Sequence, residues 1–401
     1  MSEGYLLDIA LILLSTKVFG LITKKFKLPQ VVGALVAGVI MGPAVLNIVH
    51  ESDFIAKVSE LGVIVLMFNA GLESNIEQLK SAGKDLVIIA ALGVLVPLAG
   101  CFGIACIFNP DISNRTVMMQ NIFVGAVFTA TSVSITVETL REMGKMSTKS
   151  ANAVLGAAIV DDVMGIIVLT IITSIADPKV SIVKVLLKIA AFFVFAIIVG
   201  MITSKVFDKW VKKYNIDKRR FVIVAFVVCL LLSYSADAFF GVADITGAYI
   251  AGLILSRNKE TGYISRRFET LSYILLTPIF FANIGINIKI PQLGLSAVVL
   301  TLALAFTALI TKVIGCGIGA KVCGYTKSEI MQVGVGMIPR GEVALVIASK
   351  GMKMNVMNDM FLAPIVITVI IAAISAPILL KFAYAKKDAK VEKVVGKTVQ
   401  N

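Results

Sequence analysis

Runs of about twenty apolar residues, separated by short charged loops, recur along nearly the whole chain and govern how it can fold. A helix needs about 20 mostly apolar residues to cross a bilayer core, and only structures that satisfy their own backbone polar groups are viable there. At that length the sequence offers about thirteen segments, near 6–22, 30–49, 55–75, 86–108, 117–139, 150–176, 181–204, 220–238, 242–256, 269–287, 293–320, 328–349 and 360–381. No soluble domain fits between them. Of the 401 residues, 58% are hydrophobic and 16% charged, against roughly half and a quarter in soluble domains. A soluble enzyme, a disordered chain and a disulfide scaffold are thereby excluded. The five Cys show no CxxC or Cys/His spacing, and the single His50 builds neither a triad nor a metal cluster alone. No cofactor is expected. The first segment, flanked by Glu3 and Asp8 and lacking a small-residue cleavage site, does not read as a signal peptide. The expected fold class is an all-α polytopic membrane protein.

The net charge of +13 resolves into topology. Of the 38 Lys and Arg, 27 fall in one set of alternate loops plus the tail, 7 in the other set, and Lys17, Lys188, Lys312 and Arg340 inside segments. Positive residues concentrate on the cytoplasmic side, so the split places the N-terminus outside and the C-terminus inside. Nucleic acid is not needed to explain the charge.

Segments 2 and 9 share a pattern. Gly33, Ala34, Ala37, Gly38 and Ile40 match Gly247, Ala248, Ala251, Gly252 and Ile254 at an offset of 214, which also pairs Asn69 with Asn283 and Gly71 with Gly285. Small residues recur at helix contacts in membranes, but one offset across two consecutive segments points to a repeat. An odd number of segments separates the partners, so the copies are inverted, as in many secondary transporters. Segment 5 then pairs with segment 12. The former contains FTATSVSIT (128–136); the latter carries Gly336, Pro339 and Gly341 inside an apolar run. Pro removes a backbone donor and Gly weakens a helix, so segment 12 is either broken or kinked. A break in segment 5 follows only by symmetry.

Charges near the bilayer centre are costly and mark functional candidates. Asp161 and Asp162 sit mid-segment in AVLGAAIVDDVMGIIVLTII, about 100° apart on a helix, so they face different partners. A proton, a cation or a basic side chain must neutralise them. Lys312, in TALITKVIGCG, either fills that role or snorkels to the interface. Arg340 and Glu342 lie beside the expected break, where half-helix ends carry partial charges; they either compensate those charges or form a purely structural pair. Glu73 and Asp244, near segment ends, are lining or surface residues.

These residues bring a resemblance into view. The chain resembles the bacterial monovalent cation–proton antiporters of the second cation–proton antiporter family, in the branch with two adjacent Asp. The matching text is PQVVGALVAGVIMGP (29–43), FNAGLESN (68–75), FTATS (128–132), VDDVMG (160–165), ITGAYIAGLI (245–254), TPIFFANIGINI (277–288), Lys312 and PRGEVALVIA (339–348), and it spans about 5–384. The resemblance implies exchange of Na⁺ or Li⁺ for H⁺ across the cytoplasmic membrane by alternating access, electrogenic, with K⁺/H⁺ exchange as the alternative. It implies two crossed discontinuous helices and a homodimer in a lipid bilayer. Scaffold helices would occupy 1–84 and 219–291, core transport helices 85–176 and 292–385, a linker helix 177–218 and a short basic cytoplasmic tail 386–401. Asp162 would be the main ion carboxylate, Asp161 the partner of Lys312, and Thr131 and Ser132 would supply oxygens; Glu73 would line a funnel. The related potassium-efflux systems carry a large cytosolic nucleotide-sensing domain, and no such regulation is expected here.

Two other classes share parts of this pattern. A sodium-coupled solute symporter uses a similar repeat, and uptake of an organic substrate would reveal it. An intramembrane aspartyl protease needs carboxylates that share a proton across a water, which neighbours on one helix cannot do. The charge split makes a direct prediction. In single-cysteine variants, Glu3→Cys is labelled only from outside and Val395→Cys only from inside by a membrane-impermeant thiol reagent; labelling of both from one face refutes the orientation.

Overall fold

Without water to bond the backbone, the apolar runs form helices, and loops fall where charge, Gly and Pro interrupt them. The computed structural model describes residues 4–26, 28–176, 181–213, 218–287, 294–353 and 356–398, and no strand occurs among them. In chain order the helices are α1 (Gly4–Lys25), α2 (Gln30–Met41), α3 (Asp53–Glu73), α4 (Ile76–Ser81), α5 (Gly83–Phe108), α6 (Arg115–Val127), α7 (Val133–Glu142) and α8 (Lys149–Ala176). There follow α9 (Ile182–Lys213), α10 (Arg219–Ser235), α11 (Asp244–Leu255), α12 (Thr261–Leu271), α13 (Thr277–Ile286), α14 (Leu295–Val322), α15 (Lys327–Gly336), α16 (Glu342–Lys353) and α17 (Leu362–Thr398). Among the described residues, nine helical stretches are long and apolar enough to cross a membrane, and α2 and α11 are shorter apolar helices. Large apolar side chains such as Leu187, Ile202, Ile223 and Phe306 are exposed, as a lipid-facing surface requires.

Several boundaries differ from the hydropathy reading. Segment 30–49 shortens to α2, because Gly42 and Pro43 end it and the chain folds back, with Val49 N–H donating to the Met41 carbonyl at 2.9 Å. Segment 269–287 begins earlier, at Thr261, since the amphipathic α12 carries Arg266, Arg267 and Glu269 and joins α13 through a π-helical turn, Ser272–Leu276. The basic stretch after 386 continues α17 as helix to Thr398. Segments 5 and 12 are each two half-helices, α6 with α7 and α15 with α16, joined by five non-helical residues: 128–132 and 337–341.

The chain forms two compact units. The first comprises Met1–Phe19, Ala34–Ser81 and Ile166–Ile288; the second comprises Gly20–Gly33, Ala82–Gly165 and Lys289–Asn401. In the first unit, the offset of 214 reappears as atomic contacts. A Cβ added at Gly38 would lie 2.1 Å from the Ala282 carbonyl oxygen, and one at Gly252 would lie 2.1 Å from that of Phe68. A Cβ at Gly285 would meet Leu35 O and Val39 N, and one at Gly71 would meet Tyr249 O and Leu253 N. Each contact maps onto its counterpart by adding or subtracting 214. The pair α2 on α13 is thus repeated as α11 on α3, as two copies exchanged by a pseudo-two-fold axis demand.

In the second unit, α5 packs along α14, with Gly315 against the Leu92 carbonyl. The start of α2 is held there by Glu142, whose carboxylate accepts from Gln30 N–H at 2.5 Å and Val31 N–H at 3.0 Å. Burial pushes this carboxyl up to about 7, with the two backbone hydrogen bonds opposing the rise.

Backbone-on-backbone contacts leave no side chain to yield. Gly38→Ala and Gly252→Ala are each expected to cost about 1–3 kcal/mol, read as a lower Tm of purified protein in detergent. Gly103→Ala, whose Cβ meets nothing within 4 Å, should keep or raise the wild-type Tm. Equal Tm values for all three would refute the close crossing.

Candidate functional site

Asp161 and Asp162 lie on α8 in the part that belongs to the second unit. Asp161 is buried and Asp162 half-buried, which accords with adjacent positions facing different surroundings. Asp161 Oδ1 accepts from Lys312 Nζ at 2.8 Å, and the same ammonium donates to the Thr129 carbonyl at 2.9 Å. Lys312, on α14, is fully buried and does not reach the interface. Gly93 on α5 makes room beside it: a Cβ there would stand 2.5 Å from the Sγ of Cys316, one turn along α14 from Lys312. An ammonium, a carboxylate and the unwound segment after α6 are thereby tied together.

The two unwound segments cross. Ser132 N–H donates to the Pro339 carbonyl at 2.8 Å, and Thr136 Oγ1 donates to the Gly336 carbonyl at 2.6 Å. Orphan backbone groups of one break are thus satisfied by the other, as interruptions at membrane depth require. A Cβ at Gly341 would lie 2.7 Å from Ser132 Oγ, so glycine is what lets the chains approach. Thr131 Oγ1 and Asp161 Oδ2 are buried and make no hydrogen bond. Ser132 Oγ sits 3.1 Å from Ser134 Oγ. Arg340 is fully buried; Nη1 donates to the Met337 carbonyl at 3.3 Å, while Nε and Nη2 make no hydrogen bond. Met337 is the C-cap of α15, so the guanidinium faces the negative end of that half-helix. The side chain of Glu342 lies outside the described residues.

Asp161, Asp162, Lys312, Thr131, Ser132 and Arg340 therefore all belong to the second unit. Glu73 belongs to the first, in the last turn of α3, and Asp244 opens α11 there. Sequence reasoning did not find the Thr129 carbonyl, because a main-chain acceptor leaves no mark in residue identity. It also passed over Thr136, although that residue lies in the hydroxyl-rich stretch already noted.

Such a constellation suits a small cation and protons: hard oxygens, carboxylates, a fixed ammonium and unpaired hydroxyl, with irregular backbone at their centre. The family model for the transmembrane sodium/hydrogen exchanger matches residues 10–386. The Na(+)/H(+)-K(+) antiporter GerN of Bacillus cereus is 34% identical over 97% of this chain and 98% of that protein. The Na(+)/H(+) antiporter of Enterococcus hirae is 33% identical over 94% of this chain and 97% of its own length. The solved structure of the sodium proton antiporter MjNhaP1 from Methanocaldococcus jannaschii at pH 8 has the same fold, with a TM-score of 0.65 at 20% identity over 94% of both chains. With one family pattern running almost end to end and relatives above 30% identity along nearly their full length, this chain belongs to the sodium/hydrogen exchanger family.

Proposed function

We propose that the protein is a secondary antiporter exchanging Na⁺ for H⁺, with Asp162 as the carboxylate over which the two compete. What supports this reading best is the buried Asp161–Lys312 pair beside a second, half-buried carboxylate in a chain of the exchanger family. Asp162 holds either a cation or a proton. With a cation, oxygens of Thr131 and Ser132 complete a hard-ligand shell. With a proton, the carboxyl is neutral. The empty ionised site meets the desolvation cost of a bare buried charge, so the unloaded carrier rarely crosses. That exclusion couples the two flows, and alternating access follows from movement of the core transport helices against the scaffold helices.

The ammonium enters the charge balance of the exchange. A site holding Asp161⁻, Asp162⁻, Lys312⁺ and one Na⁺ is neutral. With a proton on Asp162 and the Asp161–Lys312 pair intact, the returning site is also neutral; electrogenic exchange, which the resemblance implies, needs a second proton moved through the Asp161–Lys312 pair in the same cycle. Li⁺ fits the same ligands. The name of the Bacillus cereus relative favours K⁺ as a further substrate. The positive-inside charge split supports a cytoplasmic-membrane location with the N-terminus outside, and the resemblance supports a homodimer.

In proteoliposomes, Asp162→Asn is expected to abolish Na⁺-driven proton movement, a loss of at least about 100-fold for removal of an essential exchanging group, while the protein still purifies and melts cooperatively. Retained exchange in the folded variant refutes the assignment. In wild type, the apparent KM for Na⁺ should rise as pH falls, since protons occupy the same carboxylate; a KM independent of pH refutes competition.

Lys312→Ala leaves Asp161 a buried charge without its ion partner, which costs about 3–5 kcal/mol when a buried pair is broken. A clearly lower Tm and a displaced pH–activity profile are expected. Wild-type values for both would remove Lys312 from the mechanism.

A further inference from the structure

The offset of 214 that relates the glycine contacts also relates two polar clusters outside the Asp161–Asp162 site. In the first, Ser265 Oγ lies 2.8 Å from Asn69 Oδ1 and 3.5 Å from Glu73 Oε1. In the second, Glu51 Oε1 accepts from Asn287 Nδ2 at 2.8 Å and from Asn283 Nδ2 at 3.4 Å. Adding 214 to Glu51, Asn69 and Glu73 gives Ser265, Asn283 and Asn287. The same three positions are therefore used twice, one carboxylate in each, placed at swapped corners. All six residues belong to the first unit. The inverted relation of the copies sends the two clusters to opposite faces of the membrane.

The Glu51 cluster has the chemistry of a cation site. Asn283 lies in the last turn of α13 and Asn287 is its C-cap, so the carboxylate sits where a helix presents its negative end. That placement is unfavourable for an anion and favourable for a cation. Glu51 forms no ion pair among the described residues; its partners are the two amides. Asn283 is 7% exposed, and its Oδ1 is buried without a hydrogen bond, a cost in any structure that leaves it so. An amide offers donors from one side and an acceptor from the other. In the described arrangement both amides donate to the carboxylate. Turned over, they present Asn283 Oδ1 and Asn287 Oδ1 beside the same carboxylate, an oxygen set matched to a hard monovalent cation.

We infer that Glu51, Asn283 and Asn287 form a low-affinity capture site for Na⁺ at one membrane face, and that Asn69, Glu73 and Ser265 form its counterpart at the other. The inference rests on the proposed Na⁺/H⁺ exchange: each cluster raises the local concentration of the exchanged cation at its own membrane face. Two separate capture sites make affinity a property of each face, which one central site shared by both directions does not.

The test is Na⁺/H⁺ exchange in right-side-out and everted vesicles, with Na⁺ added to the bath and ionic strength fixed with choline. Glu51→Gln is expected to raise the apparent KM for Na⁺ about three- to fivefold in the vesicle orientation that presents Glu51 to the bath. The opposite orientation should keep the wild-type KM, and the change in KM should exceed any change in Vmax. Glu73→Gln should show the reverse sidedness. Glu51→Asp, which keeps the charge, should stay near wild type. An unchanged KM in both orientations, an equal rise in both, or a loss confined to Vmax overturns the inference. If Glu51→Gln does not fold, Asn287→Ala, which truncates an exposed ligand, carries the same expectation. Absence of Na⁺-driven exchange in the wild type would instead overturn the proposed function.

Discussion

An ammonium and a carboxylate 2.8 Å apart in a fully buried setting set the terms for the second unit. Either charge alone would be prohibitive there, and the pair is tolerable because geometry and further hydrogen bonding offset the desolvation. The further bond is Lys312 to the Thr129 carbonyl, which lies in an unwound segment. The lysine therefore neutralises Asp161 and ties it to the unwound backbone after α6. Glycines at 93 and 341 exist in relation to this arrangement, one clearing space near the lysine and the other letting the two breaks approach. Charge, backbone and packing form one assembly, so a change in the ion pair reaches the unwound segments directly.

Much of the fold was legible because a bilayer simplifies the code. Length of apolar run and alternation of loop charge are one-dimensional quantities, and they mark the helices; the constant offset of 214 between small-residue motifs marks the repeat. The failures occurred where that simplicity lapses. Segment 30–49 ended early at Gly42–Pro43, a turn signal present in the text but outweighed by the apolar residues beyond it. The start of α12 was missed because its charged face masks an amphipathic helix. The break at 128–132 has no Gly or Pro. It is made by partners distant in sequence, Pro339 and Lys312, so only the symmetry of the repeat pointed to it.

The site was legible to the extent that charge in an apolar run is conspicuous. Asp161, Asp162 and Lys312 stood out for that reason alone. Less visible were contributions from the main chain, such as the Thr129, Met337 and Pro339 carbonyls, and from residues whose role depends on a distant segment. Glu142, at the end of α7, carries no mark of its role in the text, yet it caps the start of α2 through two backbone amides. Glu73 stood out as a funnel residue, but the clusters around it and around Glu51 did not, for another reason. Their relation appears only when the offset of 214 is applied to hydrogen-bonding partners as well as to helix motifs.

The four glycine contacts that repeat across the two copies bear on energetics as well as architecture. In an inverted repeat, the state open to one side is, to first order, the state open to the other with the copies exchanging parts. Perfect symmetry would make the two states equal in free energy. The resting bias of such a carrier is therefore written in the positions where the copies disagree: Thr131 opposite Arg340 in the two breaks, or Glu51 opposite Ser265 at the two faces. A difference of about 1 kcal/mol between states already shifts their ratio about fivefold. A handful of asymmetric side chains thus suffices to set which way an otherwise two-way device waits, while the shared glycine scaffold stays constant.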